Sequence, residues 1–239
     1  HRVEMLDGIR VVRVKTVIAA NAGIVVRLLD FLSYMVTSFF AGLREPRPDV
    51  IVANSPQFFT AVSGWAISVL KGRPFVFEIA DLWPASITAV GAMKKNIGLS
   101  MIEALELYLY RSSKRIVALT DSFKTDLVRR GIEPGKIDVV INGVNLDLYS
   151  KRPKDVALER ELGIEGKFVI GYIGTHGLAH ALENVIRAAE ILKNNQVVHF
   201  LFVGPGAARD RLIAMSKELG LTNVTFVESK PKNEIARYW

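Results

Sequence analysis

The stretch from Phe168 to Ile191, FVIGYIGTHGLAHALENVIRAAEI, constrains the fold more than any other part of the chain. Phe168 to Ile173 is a short, mostly apolar run of the kind that forms a buried strand, and Leu182 to Leu192 carries apolar residues at helical spacing. A glycine-rich turn joins the two. Gly171, Gly174 and Gly177 let the backbone come close to a ligand, and unpaired N–H groups at the start of the following helix offer an anion site, so the turn reads as a phosphate cradle. An ordinary strand-to-helix turn shows the same glycines, and that reading stays open. His176 and His180 lie in the turn and favour the functional reading.

The rest of the chain repeats this strand-turn-helix grammar. Gly8 to Val17 alternates apolar and basic residues, as a strand with one wet face does. Val25 to Leu43 is apolar enough to suggest a membrane span. Arg27 and Asp30 argue against one at about 3 kcal/mol each in mid-bilayer, and Phe31 to Leu43 is too short to cross. A packed helix is expected there, with an interfacial helix touching lipid as the second reading. Val50 to Asn54 follows as a buried parallel strand. Ser55 is the expected N-cap and Pro56 the first residue of a helix reaching Leu70, and Phe75 to Ile79 is the next strand. That strand delivers Asp81-Leu82-Trp83-Pro84 to the carboxyl edge of the sheet, where ligands bind in open α/β folds.

Ile97 to Tyr110 reads as a helix with Glu103 and Glu106 on its polar side, and Arg115 to Leu119 as a strand. A helix capped by Asp121 or Ser122 runs to Arg130, and a strand at Val139 to Ile141 leads into Asn142-Gly143. Residues 1–150 thus form one expected domain, and the polar linker Lys151-Arg152-Pro153-Lys154 opens a second, 151–239. In the second, strands at His199 to Val203 and Val224 to Val227 flank the turn Gly204-Pro205-Gly206 and a helix from Arg209 to Leu219, and another helix starts within Pro231 to Trp239. The alternation predicts an α/β protein with parallel, doubly wound sheets.

Composition narrows the chemistry. The 239 residues, half of them hydrophobic, suffice for two cores, and the absence of cysteine excludes disulfides, thiolate metal sites and a cysteine nucleophile. A formal charge of +7 favours an anionic partner: a nucleotide, an anionic lipid surface or nucleic acid. Lys and Arg are scattered, with no basic stripe interleaved with aromatics, so nucleic acid is not expected. Gly204-x-Gly206 lacks the third glycine of the dinucleotide fingerprint, Arg209 standing there instead, which argues against a nicotinamide dehydrogenase. The chain opens on His1 rather than Met and without a signal-peptide pattern, and it reads as a fragment.

FVFEIADLWPAS (Phe75 to Ser86), NGVNLDLY (Asn142 to Tyr149) and GYIGTHGLAHAL (Gly171 to Leu182) resemble the GT-B glycosyltransferases of family 4, the retaining group that includes bacterial O-antigen, capsule and colanic-acid sugar transferases. The resemblance covers nearly the whole chain and implies two Rossmann-like domains facing each other across a cleft, the second incomplete. It implies a UDP-sugar donor, with N-acetylfucosamine-type transferases as the most similar subgroup, and a lipid-linked or glycan acceptor. It also implies action at the cytoplasmic face of a membrane, with peripheral contact to anionic lipid. Members often carry Arg where Ala80 stands and an acidic or small polar residue where Pro205 stands. Their first strand and glycine-rich loop are expected before His1, and their Glu-x7-Glu donor motif after Trp239, which implies a fragment inactive by itself.

On this reading the leaving diphosphate needs oriented dipoles, and Gly174, Thr175, His176 and Gly177 supply them, with His176 adding charge if protonated. His176 as a loop-fixing residue is the plainer alternative. Gly204 and Gly206 then lie next to the nucleotide and Lys230 near the base, unless Lys230 is a solvated surface charge. Asp81 holds or polarises the acceptor hydroxyl, or else caps a turn. No Asp-x-Asp occurs, so no metal ion is expected. A UDP-sugar epimerase and a non-enzymatic nucleotide- or anion-binding module remain the other readings.

Overall fold

The computed structural model describes residues 2–18, 23–55, 57–83 and 96–239. The chain divides into two compact units, His1–Asn142 and Gly143–Trp239.

The first unit opens with a hairpin of β1 (Arg2–Leu6) and β2 (Ile9–Arg13), paired antiparallel with Leu6 opposite Ile9. Asp7 and Gly8 form its two-residue turn with φ of 49° and 81°, the geometry an Asp-Gly pair provides. The single strand expected from Gly8 to Val17 is therefore two strands, and Gly8 belongs to the turn between them. Helix α1 (Gly23–Arg44) packs on α2 (Phe58–Lys71), and small side chains set how closely: Ser38 and Ser63 hydroxyls meet at 3.0 Å, and a methyl group on Gly42 would stand 2.6 Å from Ile67 Cδ1. Among the described residues no helix is long and apolar enough to cross a membrane, although α1 leaves Leu28, Leu29, Val36 and Phe40 exposed.

β3 (Ile51–Asn54), β4 (Phe75–Ile79), β5 (Arg115–Ala118) and β6 (Ile137–Val139) form one parallel sheet in that order. Helices α2, α3 (Ile97–Ser112) and α4 (Asp121–Arg129) connect successive strands. Alternate residues Ala53, Phe75, Phe77, Ile79, Ile116, Ala118 and Ile137 make the core, as the period-two pattern of strands requires. Three boundaries differ from the sequence reading. The cap of α2 is Gln57 rather than Ser55, because its Oε1 accepts the Thr60 N–H at 2.8 Å; Pro56 lies outside the described residues. Thr120, not Asp121 or Ser122, caps α4. β6 ends at Val139 because its partners on β5 end at Ala118, which leaves Val140 and Ile141 exposed.

Glu106 departs furthest from expectation. Rather than lying on the polar side of α3 it is 1% exposed, where it accepts the Tyr110 hydroxyl at 2.6 Å and pairs with Arg130. Burial raises its pKa, opposed by hydrogen bonds from those two partners.

In the second unit, α5 (Val156–Glu161), capped by Asp155, follows the polar stretch of Lys151 to Lys154. β7 (Phe168–Ile173), β8 (Val198–Val203) and β9 (Val224–Val227) form a parallel sheet in that order, linked by α6 (Glu183–Ile191) and α7 (Arg209–Glu218). One face of the sheet packs Phe200 and Phe202 against Ile186 and Leu212, and the other packs Leu201 and Val203 against Ile164. The helix expected within Pro231 to Trp239 is a single 3-10 turn at Ile235–Tyr238.

Candidate functional site

β7 and β8 are neighbours, so their glycine turns leave the carboxyl edge of the sheet side by side. The turns interlock. The Gly174 N–H donates to Val203 O at 2.9 Å, the His176 N–H to Pro205 O at 2.7 Å and the Ala208 N–H to His176 O at 2.9 Å. A methyl group on Gly204 would overlap the Gly174 carbonyl oxygen, and one on Gly206 the His176 carbonyl oxygen; their φ values of 134° and 155° are also ones that side chains rarely adopt. Glycine is required at both positions by contact between the turns.

This interlocking redistributes the cradle. Of the four residues read as its donors, Gly174, His176 and Gly177 spend their N–H groups on Val203, Pro205 and Thr175 carbonyls. Among the described residues the N–H groups of Thr175, Gly206 and Ala207 take no acceptor, and neither α6 nor α7 has a side-chain cap on its first turn. The open donors thus come from both turns, which a reading of each turn separately does not reveal.

His176 is 0% exposed, with Phe202 at 5.9 Å and Tyr172 at 5.7 Å between ring centroids, and neither ring nitrogen has a partner. Burial, reinforced by the nearby Arg209 and His180, holds its pKa below the ordinary 6.5. That direction favours the neutral ring and so the loop-fixing reading over an added charge, because burial among aromatic rings penalises an imidazolium. His180 fixes the turn, its Nδ1 lying 2.7 Å from Tyr172 Oη and 2.8 Å from the Thr175 carbonyl oxygen. Ala181 follows with φ of 49°, a left-handed conformation uncommon for alanine.

Two side chains after β9 and one at the start of α7 complete this edge. Lys230 lies over the Tyr238 ring, 6.0 Å from its centroid. Arg209 pairs with Glu228 at 2.8 Å. The sequence marked Arg209 only as the residue displacing a fingerprint glycine.

In the first unit Asp81 lies just past β4, where its carbonyl accepts the Ser55 hydroxyl at 3.4 Å. Trp83 stacks on Phe58 with ring centroids 6.3 Å apart, which makes it a core residue. Beside the start of α2 a cavity of about 350 Å³ is lined by Asp30, Phe31, Tyr34, Gln57 and Thr60. Among the described residues no group of three or more His, Cys, Asp or Glu is placed to hold a metal ion.

Residues 1–143 match the family described as glycosyl transferase 4-like domain, and residues 156–239 match glycosyl transferases group 1. The chain belongs to the glycosyl transferase 4-like family. The Escherichia coli (strain K12) protein WcaI, named for glycosyl transfer in colanic acid biosynthesis, is 30% identical over 209 residues, covering 84% of this chain and 51% of WcaI. TuaH of Bacillus subtilis (strain 168), named for teichuronic acid biosynthesis, is 27% identical over 169 residues, covering 68% of this chain and 40% of TuaH. The chain therefore spans about half the length of the curated relatives it matches. Among solved structures, Anabaena HepE in complex with UDP and glucose superposes with a TM-score of 0.65 at 19% identity, over 88% of this chain and 54% of HepE. Sucrose-phosphate synthase of Thermosynechococcus elongatus gives 0.73 at 17% identity, over 99% of this chain and 59% of the synthase. These neighbours share the GT-B fold with this glycosyl transferase 4-like chain.

Proposed function

We propose that this chain is the donor-binding and acceptor-side framework of a retaining glycosyltransferase that moves a hexosyl or N-acetylhexosaminyl group from a UDP-sugar to a lipid-linked or glycan acceptor in surface polysaccharide synthesis. The observation that carries the donor assignment is the pair of interlocked glycine turns at adjacent strand ends, which leaves Thr175, Gly206 and Ala207 N–H groups without acceptors in a chain of this family. HepE, of the same fold, binds UDP, which supports the choice of nucleotide. Oriented N–H dipoles stabilise charge on a departing diphosphate without reorganising, so the reading assigns no metal ion. Gly174, His176, Gly177 and Gly204 shape the cradle, and Lys230 stands near the base.

Asp81 is assigned to the acceptor, because it leaves β4 at the carboxyl edge of its sheet. Retention is assigned to a front-face route in which the donor phosphate takes the acceptor proton, so that no protein nucleophile is required. Exposed apolar residues on α1 and the formal charge of +7 support peripheral contact with an anionic membrane surface at the cytoplasmic face.

Thermal unfolding with added UDP, NADH or double-stranded DNA tests the donor reading. A ligand at a hundred times its dissociation constant stabilises by about 2.7 kcal/mol, and only UDP is expected to do so. Stabilisation by NADH or DNA, with none by UDP, would reverse the assignment.

A further inference from the structure

A diphosphate is anionic, so a cation beside the open N–H groups would add to the dipoles that meet it, and burial disfavours a protonated His176 in that role. Among the described residues, Lys230, Arg211 and Arg209 stand on the segments that flank the two turns. Lys230 is occupied over Tyr238, and Arg211, mostly exposed, faces Glu183 at 3.5 Å. Arg209 differs from both. It is the first residue of α7, its N–H donates to Gly206 O at 3.1 Å, and it is near enough to His176 to depress that ring's protonation. Its side chain is 16% exposed, and its Nε is buried without a partner. A guanidinium presents five donors in a fixed fork suited to two oxygens at once, and here the one carboxylate it meets leaves Nε unfilled.

That carboxylate is Glu228, the residue after β9, with a side chain 78% exposed. The pair is asymmetric: the cation is held by packing, while the anion reaches it from solvent at little cost in withdrawal. An exposed ion pair contributes little to stability, so Glu228 is a weak competitor for a fixed cation. Both groups stand at the carboxyl edge of β8 and β9, beside the open N–H groups of Gly206 and Ala207.

We propose that Arg209 is the cation that meets the diphosphate of the donor, and that Glu228 holds its guanidinium until the donor displaces it. This rests on the UDP-sugar reading above. It makes Arg209 a binding residue and Glu228 an internal competitor whose removal improves binding, which no purely structural ion pair would do.

Calorimetric titration of the chain with UDP tests both halves. Arg209→Gln is expected to weaken UDP about ten- to hundredfold, the range for losing a hydrogen bond to a charged group, and Arg209→Lys by less. Glu228→Gln is expected to tighten UDP roughly threefold at low salt, with the gain shrinking as added salt screens the pair. Unchanged UDP affinity in a folded Arg209→Gln, or weaker binding by Glu228→Gln, overturns the proposal while leaving the donor reading intact. Wild-type chain that binds no UDP overturns the donor reading itself. If Arg209→Gln fails to fold, Glu228→Gln decides alone, since its side chain is exposed.

Discussion

Gly206 lies directly against the His176 carbonyl, so closely that any β-carbon would overlap that oxygen. The same carbonyl accepts the Ala208 N–H, so the contact cannot relax without breaking the link between turns. Gly206→Ala is expected to destabilise the second unit by about 1–3 kcal/mol or more, as overpacking against unyielding atoms does. Gly177→Ala should behave oppositely: its φ of −82° suits alanine and the added methyl would meet the His180 ring at 3.5 Å, an ordinary contact. A gain of about 0.4–1 kcal/mol is expected there. Urea midpoints of the two variants check both signs, and equal losses would mean that the turns do not interlock.

Neutral His176 has a pH signature. Its folded pKa is depressed below 6.5, so the unfolded chain takes up the proton first, and stability present above pH 6.5 is lost as pH falls through the folded value. His199, also depressed by burial and near Lys167, adds a slope of the same sign. His176→Phe should flatten the decline in urea midpoint as pH falls through the acid side of 6.5, leaving the part that His199 contributes. It should also leave UDP affinity within about twofold, because the ring is buried and makes no polar contact. A tenfold loss of UDP binding in the folded variant would show that the His176 ring itself contacts the nucleotide.

Phe75 to Ile79 and Phe168 to Ile173 are strands at the residues that their apolar composition indicates, but Phe168 to Ile173 is an edge strand with Phe168 and Ile170 exposed, not the buried strand expected. Turn chemistry was legible only where it was read as turn chemistry, and the Asp7-Gly8 pair, taken from Gly8 onward as part of a strand, concealed a hairpin. Glycines marked the site correctly as a place, yet could not say what presses against them. Gly204 and Gly206 face another turn thirty residues away in sequence, a relationship that no local pattern carries. Charge was hardest to place, since Glu106 and Arg209 look like surface residues until their partners are known.

Glu106 provides the stability test for the first unit. Arg130 pairs with it between α3 and the end of α4, and the Tyr110 hydroxyl completes the cluster. Arg130→Met leaves a buried carboxylate unpaired and is expected to cost about 3–5 kcal/mol. Adding Glu106→Gln should recover roughly half of that, because the amide oxygen still accepts from Tyr110 while no charge is stranded. A double variant as unstable as the sum of the two singles would show that the pair is uncoupled.

Asp81→Asn isolates the acceptor side. The observed hydrogen bond at this position, from the Ser55 hydroxyl, is made to the Asp81 carbonyl rather than to its carboxylate, so asparagine keeps the local structure. The Asp81 carboxylate is assigned to the acceptor rather than to the diphosphate cradle, so UDP affinity should stay within about twofold. What asparagine lacks is the charge that would hold or polarise an acceptor hydroxyl. Losing a hydrogen bond to a charged group costs about 1.5–3 kcal/mol, so turnover in a protein extended to the full length of its relatives should fall about ten- to hundredfold. Parallel measurement of UDP binding and of transfer to a lipid-linked acceptor separates the two effects. Transfer retained at the wild-type rate would remove Asp81 from the reaction, whereas equal losses of UDP binding and transfer would place it on the donor side.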